Sequence, residues 1–413
     1  MKQGYLSQYF EGVAVKRLSR VEADILTSNQ HEFNGVEGLR ALLGEPDGKV
    51  RYLADTIYLN DDDDSATTEE SIFTWYDARQ RARLQRGVNR WEYRLYFPTT
   101  RASGMAAAGD LLVIAKQQNG RLLVIIAEKD SGIGSQIEWL FGTANLDQSG
   151  FFVKSELDEQ RDRIEFTSRI ILESIGIAVE TTAPAYLDIM LEKFGPKFPT
   201  TREFSAYARS TLPHVDPKNS PDDVLMAWME QEEILFRTLE SHLIAARLAS
   251  GFGDAGTGID VEGFMKFSLS VQNRRKSRVG LAFENHLEVL FAANGVRFTR
   301  TAVTENKAKP DFLFPGVAEY SNTDFAAEQL TMLGVKSTCK DRWRQVLAEA
   351  DRISHKHLIT LEPAISGQQT DEMASKNLQL VVPQQLHNTY SQSQREWLMN
   401  LSSFIALLHQ RQP

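Results

Sequence analysis

The sequence predicts two domains of different class: a mostly-β module first, then an α/β domain with a mixed central sheet flanked by helices. Three observations support this. Apolar, β-branched runs characterise the first part, prolines are concentrated between about residues 194 and 221, and long helical apolar patterns follow. A chain of 413 residues is also longer than one hydrophobic core typically serves, which suggests two domains or more. We therefore expect a β-rich domain over 1–180, a linker over 181–222 and an α/β domain over 223–413.

The β-rich assignment rests on two apolar runs at 111–115 and 122–127, separated by a segment that ends in Asn119-Gly120. Asn-Gly is a strong signal for a tight hairpin turn, so the runs predict paired strands. We expect the module to form an antiparallel barrel or sandwich. Gly132 and Gly134 lack the Gly-Lys-Ser/Thr sequence of a phosphate-binding loop, and they predict a turn instead.

The join between the domains is rich in proline, which follows Gly195, Phe198, Leu212 and Asp216. Proline at this density interrupts regular elements, which favours a linker or an irregular entry to the next domain. Apolar side chains then recur at helical spacing over 224–248 and again over 279–291. The second domain is therefore expected to begin with helices that precede its strands.

Three charged residues of the second domain fall on separate predicted elements. Asp311 opens a short apolar run that predicts a strand, Lys336 ends a second run, and Glu349 lies on the helical pattern that follows. Carboxylate oxygens suit a hard divalent cation, and a lysine can orient water or offset charge that develops on a phosphate. The set predicts a Mg²⁺-dependent phosphodiester hydrolase, with both acids as metal ligands and all three residues catalytic.

The common compact nuclease pattern places an acid two residues before the lysine, and this chain has Gly334 there. The second acid must come from elsewhere. A helix that begins near Asp341 would return Glu349 toward the strand end after about two turns, at about 1.5 Å rise per residue. Glu349 is therefore the expected second acid.

This displaced acid resembles the arrangement of the EcoRII-type type II restriction endonucleases, within the PD-(D/E)xK nuclease superfamily. The resemblance extends through the C-terminal half and is carried by residues 273–278, 309–315, 336, 338–345 and 380–383. It implies a restriction-endonuclease-like core that cuts double-stranded DNA at a specific site. It also implies Tyr320 as a catalytic residue and Glu284 as a third metal ligand. Symmetric cutting of a duplex implies a homodimer with two active sites.

The resemblance further implies that Lys340, Asp341 and Arg342 read adjacent cytosine–guanine pairs, at a site containing CC/GG. Lysine or arginine can donate to guanine O6 and N7, while aspartate accepts from cytosine N4. The alternative is that Asp341 caps a helix and Arg342 pairs with an acid. Clustered basic residues predict further DNA contacts, and they are Arg86, Arg90, Arg94, Arg274, Arg275, Lys276 and Arg278.

The N-terminal half is more sparsely similar to the same enzymes, at Tyr9-Phe10, 16–19 and Arg90-Trp91. There, this half is a pseudobarrel DNA-binding domain, related in shape to a plant transcription-factor domain, that binds a second target copy as an effector. The resemblance implies the same role here. Arginines over 79–94, interleaved with aromatic side chains, can track a phosphate backbone. A charged, exposed face with an aromatic anchor is the open alternative.

The composition excludes several other classes. A net charge of −9 argues against a protein that coats nucleic acid indiscriminately, but it permits a local basic face. One cysteine, Cys339, excludes an intramolecular disulfide and a cysteine-rich zinc site, and we expect it to be packed rather than nucleophilic. Without a long apolar run or a signal pattern, the chain is expected to be cytoplasmic and to have no membrane partner.

Two other functions stay open. The β-rich module could direct an endonuclease to modified bases, since such modules can enclose a flipped base. The nuclease fold could instead be inactive and serve a sequence-specific DNA-binding regulator.

Overall fold

The computed structural model describes residues 5–24, 31–62, 68–86, 90–143, 150–155, 157, 165–179, 183–254, 258–339 and 342–412. The chain divides into two compact units. Unit 1 comprises Met1–Ala178 with Pro363–Gly367, and unit 2 comprises Val179–Glu362 with Gln368–Pro413. The change of unit at 178 lies near the expected boundary at 180, whereas nothing in the sequence predicts that 363–367 joins unit 1. The functional division into 1–180, 181–222 and 223–413 stays a prediction.

Unit 1 is built on one curled eight-stranded sheet. Its strands are β1 (Phe10–Arg17), β2 (Glu32–Asn34), β3 (Val50–Leu59), β4 (Thr68–Asp77), β5 (Tyr93–Tyr96), β6 (Leu111–Gln117), β7 (Leu122–Ala127) and β8 (Phe152–Lys154). Their order is β2-β5-β4-β3-β7-β6-β1-β8. The rings of Phe33 on β2 and Phe151 before β8 lie 5.8 Å apart, so the two ends of the sheet curl toward each other. The expected mostly-β pseudobarrel is confirmed.

The pairing of the sheet corrects one expectation. Strands β3 and β7 run parallel, so the sheet is mixed rather than an antiparallel barrel or sandwich. The hairpin between β6 and β7 is confirmed, and its turn uses Gly120 at φ +80°, a conformation that suits glycine. The interior of the curled sheet is apolar, with Trp75, Leu95 and Ile114 buried in it.

The helices of unit 1 that lie within the described residues are short. They are α1 (Arg20–Ala23), α2 (Glu37–Leu43), α3 (Gln80–Arg86), α4 (Arg101–Met105), α5 (Gly132–Leu140) and α6 (Phe166–Ser174). The turn expected at Gly132 and Gly134 is wrong, because both residues begin α5. The Ser131 hydroxyl accepts from the Gly134 N–H, and the Asp61 carboxylate accepts from the Gly132 N–H at 2.8 Å. These caps satisfy N–H groups that a helix start leaves without partners.

Unit 2 begins with four helices: α7 (Leu187–Phe194), α8 (Thr201–Ser210), α9 (Pro221–Ala249) and α10 (Val261–Ala293). The segment expected to be a linker over 181–222 therefore contains packed helices. Met190 of α7 and Phe204 of α8 share a buried cluster with Leu235 and Leu239 of α9. The prolines lie between helices or at their starts, as Pro221 does at the first position of α9, where proline has no hydrogen bond to lose.

A five-stranded mixed sheet follows. Its strands are β11 (Thr299–Arg300), β12 (Phe312–Phe314), β13 (Thr331–Lys336), β14 (Lys356–Thr360) and β15 (Leu378–Val381), after a small hairpin of β9 (Gly253–Asp254) and β10 (Gly258–Ile259). The order is β11-β12-β13-β14-β15. The pairs β11–β12 and β12–β13 are antiparallel, and the pairs β13–β14 and β14–β15 are parallel.

Helices cover both faces of this sheet. The other helices in the described part of unit 2 are α11 (Val317–Ser321), α12 (Trp343–Val346), α13 (Gly367–Ser375), α14 (Gln392–Trp397) and α15 (Leu401–Arg411). On one face, Phe291 of α10 packs on Phe314, which also contacts Phe404 of α15. On the other face α12 lies so close that a Cβ on Gly334 would be 2.7 Å from Cγ2 of Val346. The predicted α/β core is thus confirmed.

Among the described helices, none combines the length and the apolar character needed to cross a membrane.

Candidate active site

Asp311 and Lys336 are brought together by strand pairing. Strand β12 begins directly after Asp311, and its antiparallel partner β13 ends on Lys336. The Oδ2 atom of Asp311 accepts from the Val335 N–H at 2.7 Å and from the Lys336 Nζ at 3.2 Å. Both side chains keep about a fifth of their surface exposed, at 18% and 20%. The sheet therefore fixes a carboxylate and an ammonium group at a position that solvent can reach.

Glu349 lies beyond the helix on which it was expected. Helix α12 ends at Val346, and the Glu349 N–H donates to the carbonyl three residues earlier, at 3.2 Å. The next residue, Ala350, has φ +52°, a left-handed conformation that ends the helical path. Glu349 is therefore carried by a turn, and the prediction of a two-turn helix beneath it is wrong.

The electrostatics of Glu349 place it near the other two residues. Burial, followed by the Asp311 carboxylate, raises the pKa of its carboxyl to about 7, and the charges of Lys336 and Lys356 act in the opposite direction. Its Oε2 atom is buried and has no hydrogen-bond partner among the described residues. Two neighbouring carboxylates, one with an unmatched buried oxygen, suit a divalent cation that coordinates oxygen. The residues present thus fit a bound metal ion.

The carboxylate of Glu284, the expected third metal ligand, forms an ion pair with an arginine. It projects from α10, and its Oε2 accepts from Arg300 at 2.7 Å. Burial raises the pKa of Glu284, Arg300 lowers it, and Asp311 raises it, so this acid lies close enough to sense Asp311. Over the part of the chain that is described, no three His, Cys, Asp or Glu residues gather as a metal cluster. Mg²⁺ commonly uses one or two carboxylates with water and phosphate, so a third acid is not required.

Tyr320 is buried, with 4% of its surface exposed. Its hydroxyl donates to Glu305 at 2.5 Å and accepts from the Arg352 N–H at 3.3 Å. Burial, followed by the hydrogen bond to Glu305, raises the pKa of Tyr320 to about 12, so the phenol stays protonated at neutral pH. The Tyr320 hydroxyl thus makes two hydrogen bonds within the protein. The catalytic role that the resemblance implies stays a prediction.

The basic cluster on α10 does not form one surface. Arg278 is buried at 6% exposure, because α9 and α10 pack around it and its guanidinium pairs with Glu232 and Glu233. Its expected contact with DNA is therefore wrong. Arg275 pairs with Glu240 at 2.7 Å, and Arg274 lies 4.4 Å over the Phe198 ring. Lys276 is exposed.

The basic residues of unit 1 are more accessible. Arg86 and Arg90 are exposed, while Arg94 pairs with Glu92 at 2.5 Å. Trp91 is 46% exposed, and the Arg83 guanidinium lies 3.1 Å from the centre of its ring. The result is an exposed aromatic and cationic surface.

Two of the three residues expected to read bases, Lys340 and Asp341, lie outside the described residues. Arg342 is exposed at the start of α12. The neighbouring Cys339 is fully buried, and burial raises the pKa of its thiol well above the usual range. This agrees with the expected packing role of Cys339 rather than with a nucleophile.

Three residues near the site were missed at the sequence level: Arg300, Glu305 and Lys356. Arg300 holds Glu284, Glu305 accepts from Tyr320, and the Nζ of Lys356 donates to the Leu347 carbonyl at 2.6 Å. Each contact joins segments that are apart in the sequence, so no local spacing indicates it.

Comparisons with known proteins identify sequences that are similar to part of this chain. Residues 236–405 match the family model described as the EcoRII C terminal. The chain is 40% identical over 234 residues to the type II restriction enzyme EcoRII of Escherichia coli, covering 56% of this chain and 56% of that enzyme. It thus spans about half the length of this curated relative. The expected EcoRII-type resemblance is confirmed.

Two kinds of solved structure are also similar. One is described as metal-depleted Ecl18kI in complex with uncleaved DNA, at 20% identity and a TM-score of 0.44, covering 55% of this chain and 84% of that one. Another is a complex of the restriction endonuclease PspGI with substrate DNA, at 18% identity and a TM-score of 0.43, covering 52% and 93%.

Proposed function

We propose that this protein is a cytoplasmic, Mg²⁺-dependent, type II site-specific endonuclease that acts on double-stranded DNA, since residues 236–405 match the family model of the EcoRII C terminal. The observation that carries the proposal is the contact of Lys336 with Asp311 beside the unmatched buried oxygen of Glu349. This observation is geometric and does not use the sequence similarity. That similarity extends over 56% of the curated relative.

Asp311 and Glu349 would hold the metal ion. When bound, the ion would supply a Lewis acid that stabilises charge on the scissile phosphate and favours a hydroxide nucleophile. The Val335 N–H keeps the Asp311 carboxylate in place. Lys336, next to that carboxylate, would position the attacking water or stabilise the negative charge that builds on the phosphate. Glu349 must give up its proton to act as a ligand, and its pKa of about 7 makes this easy above neutral pH.

We also propose that the segment 340–342 reads cytosine–guanine pairs, with Arg342 at a guanine. Its exposure next to the end of the catalytic strand supports this role. Arg342→Ala should weaken specific binding by about 1–3 kcal/mol and relax the preference at one guanine, with little change in salt dependence. Anisotropy titrations with target and single-substituted duplexes at several salt concentrations measure both effects.

Lys276→Ala is the matched control, since Lys276 is an exposed cation for which a phosphate contact is the expectation. It should weaken all sequences alike and lower the salt slope by about one. The same behaviour in Arg342→Ala would assign Arg342 to the backbone and contradict base reading.

Unit 1 is proposed to bind a second copy of the target as an effector, through the surface around Arg83, Arg86, Arg90 and Trp91. The exposed Trp91 ring and the exposed side chains of Arg86 and Arg90 suit this contact. The enzyme is proposed to act as a homodimer, because cutting both strands symmetrically needs two sites.

A fragment that begins at Val179 should cleave one-site plasmids at least as fast as the full chain, and only the full chain should prefer plasmids with two or more sites. The fragment begins at Val179 because a fragment that began at Gly195, within the proline-rich segment, would lack α7. Met190 of α7 belongs to the buried cluster with α9. Cleavage rates of matched one-site and two-site plasmids test this. Equal dependence on site number in both proteins would contradict effector control.

Two alternatives remain in view. An endonuclease directed to modified bases would cut a modified plasmid and spare the unmodified one. A catalytically inactive regulator would bind without cutting, although the contact of Asp311 with Lys336 disfavours this. A mapped plasmid in both modification states, incubated with Mg²⁺, separates the three functions.

A further inference from the structure

The three proposed catalytic residues are held in different ways. Asp311 and Lys336 adjoin paired strands, and the Asp311 carboxylate has backbone and side-chain donors of its own. Glu349 lies in a turn, and its buried Oε2 has no hydrogen-bond partner among the described residues. The position of this carboxylate therefore depends on how firmly the backbone of 347–352 is fixed.

A buried lysine holds this turn on its N-terminal side. Lys356 is 7% exposed and begins β14, and its Nζ donates to the Leu347 carbonyl at 2.6 Å. A buried ammonium group is costly unless it is paired or hydrogen-bonded. Its partner is the backbone two residues before Glu349, and its charge also acts on the Glu349 carboxylate. Lys356 thus fixes the backbone of the turn and attracts the Glu349 carboxylate that the turn carries.

Two further side chains, those of Glu305 and Tyr320, hold the turn on its C-terminal side. The Glu305 carboxylate accepts from the Asp351 N–H at 3.3 Å, and the Tyr320 hydroxyl accepts from the Arg352 N–H at 3.3 Å. Tyr320 and Glu305 are joined by their own hydrogen bond of 2.5 Å. Ala350, just before these two N–H groups, is left-handed, so α12 does not continue into this stretch and the side-chain contacts add to the local turn hydrogen bonds.

We propose that Lys356 and the Glu305–Tyr320 pair are positioning residues that hold the Glu349 carboxylate where it can bind the metal ion. The inference rests on the proposed function, because it assigns these three side chains to the second acid of that site. In this role Tyr320 acts by holding the backbone N–H of Arg352, and it does not contact the phosphate or the attacking water.

The test is Mn²⁺ binding to the full-length protein, followed by electron paramagnetic resonance without DNA. Lys356→Met keeps the apolar stem and removes the donor, and it should weaken Mn²⁺ binding by about 10–100-fold, as is usual for residues that orient metal ligands. Tyr320→Phe should weaken it in the same direction. Lys356→Arg, which keeps a charged donor, should recover part of the affinity. Half-saturation of cleavage should need correspondingly more Mg²⁺, with a smaller change in the rate at saturation.

Two control variants separate positioning from a general loss of buried polar contacts. Tyr390→Phe removes another buried hydroxyl of unit 2, which donates to the Glu362 carbonyl at 2.7 Å. Lys16→Met removes a buried lysine of unit 1 that pairs with Glu22 at 2.6 Å. Both should bind Mn²⁺ like the wild type. Specific DNA binding without metal should be unchanged in the Lys356 and Tyr320 variants.

The outcomes distinguish this inference from the proposed function. If Asp311→Asn loses Mn²⁺ while Lys356→Met and Tyr320→Phe bind it as tightly as the wild type, positioning is wrong and the endonuclease proposal stands. If Asp311→Asn and Glu349→Gln both bind Mn²⁺ normally, the metal site itself is wrong and the inference falls with it. Should Lys356→Met not fold, Tyr320→Phe and Lys356→Arg decide the matter by the same titration.

Discussion

Replacement of Asp311 by asparagine should abolish DNA cleavage, lowering its rate by about 10³-fold or more. Asparagine keeps the shape of the side chain and an oxygen that can accept from the Val335 N–H, so we expect the fold to survive. It removes the charge that would bind the cation and that lies 3.2 Å from the Lys336 ammonium group. Lys336→Ala should have a comparable effect, because it removes the positive charge near the phosphate.

Single-turnover cleavage of a plasmid measures the loss, and anisotropy shows whether specific binding persists. Asp371→Asn, the same change at an exposed position of α13, should cut like the wild type. A chelator should stop the wild-type enzyme, and added Mg²⁺ should restore it. Near-normal cutting by Asp311→Asn would remove Asp311 from the catalytic site.

Glu349→Gln should stabilise the metal-free protein at about pH 8 far more than at about pH 5. Burial, and then Asp311, raise the pKa of Glu349 to about 7, against about 4.3 for an unfolded chain. Because the folded state holds this proton more tightly, ionisation of Glu349 opposes folding. The cost is absent below about pH 4, grows as the pH rises toward 7, and is complete above it. Glutamine has no proton to lose and removes the cost.

Melting temperatures of both proteins at the two pH values test this effect. Glu328→Gln removes an exposed carboxylate, and its difference from the wild type should be the same at both. Saturating Mg²⁺ should stabilise the wild type at about pH 8 and the Glu349 variant much less, because the variant lacks one ligand. If the difference in melting temperature between Glu349→Gln and the wild type were the same at both pH values, the Glu349 carboxylate would titrate normally and would not be buried beside Asp311.

The sequence predicted features that depend on neighbours along the chain. Two continuous apolar runs and Asn119-Gly120 specify the hairpin, because turn geometry is local. Asp311 and Lys336 were predicted together because each stands at the end of an apolar run, and strands that pair bring such ends into register. Glu349 was expected as the second acid because position 334 holds glycine, and the structure adds a steric reason for that glycine: a Cβ there would lie 2.7 Å from Cγ2 of Val346.

Features that depend on distant partners were not predictable in this way. Arg278 appeared in a basic cluster, but its acidic partners Glu232 and Glu233 stand on the preceding long helix and become neighbours only when the helices pack. The turn beneath Glu349 depends on a single left-handed residue, Ala350, of a type that favours helix. The prolines over 181–222 were interpreted as breaking structure, whereas they separate helices.

The close approach of β13 to α12 limits how such an enzyme can change. Any side chain at position 334 would push Val346 away from the strand, and α12 begins directly after Arg342. An acid transplanted to the strand, in the manner of the compact nucleases, would therefore displace the proposed base-reading segment as well. Engineering of the metal ligands and engineering of the target sequence are then one problem, to be solved with compensating changes on both sides of the contact between Gly334 and Val346.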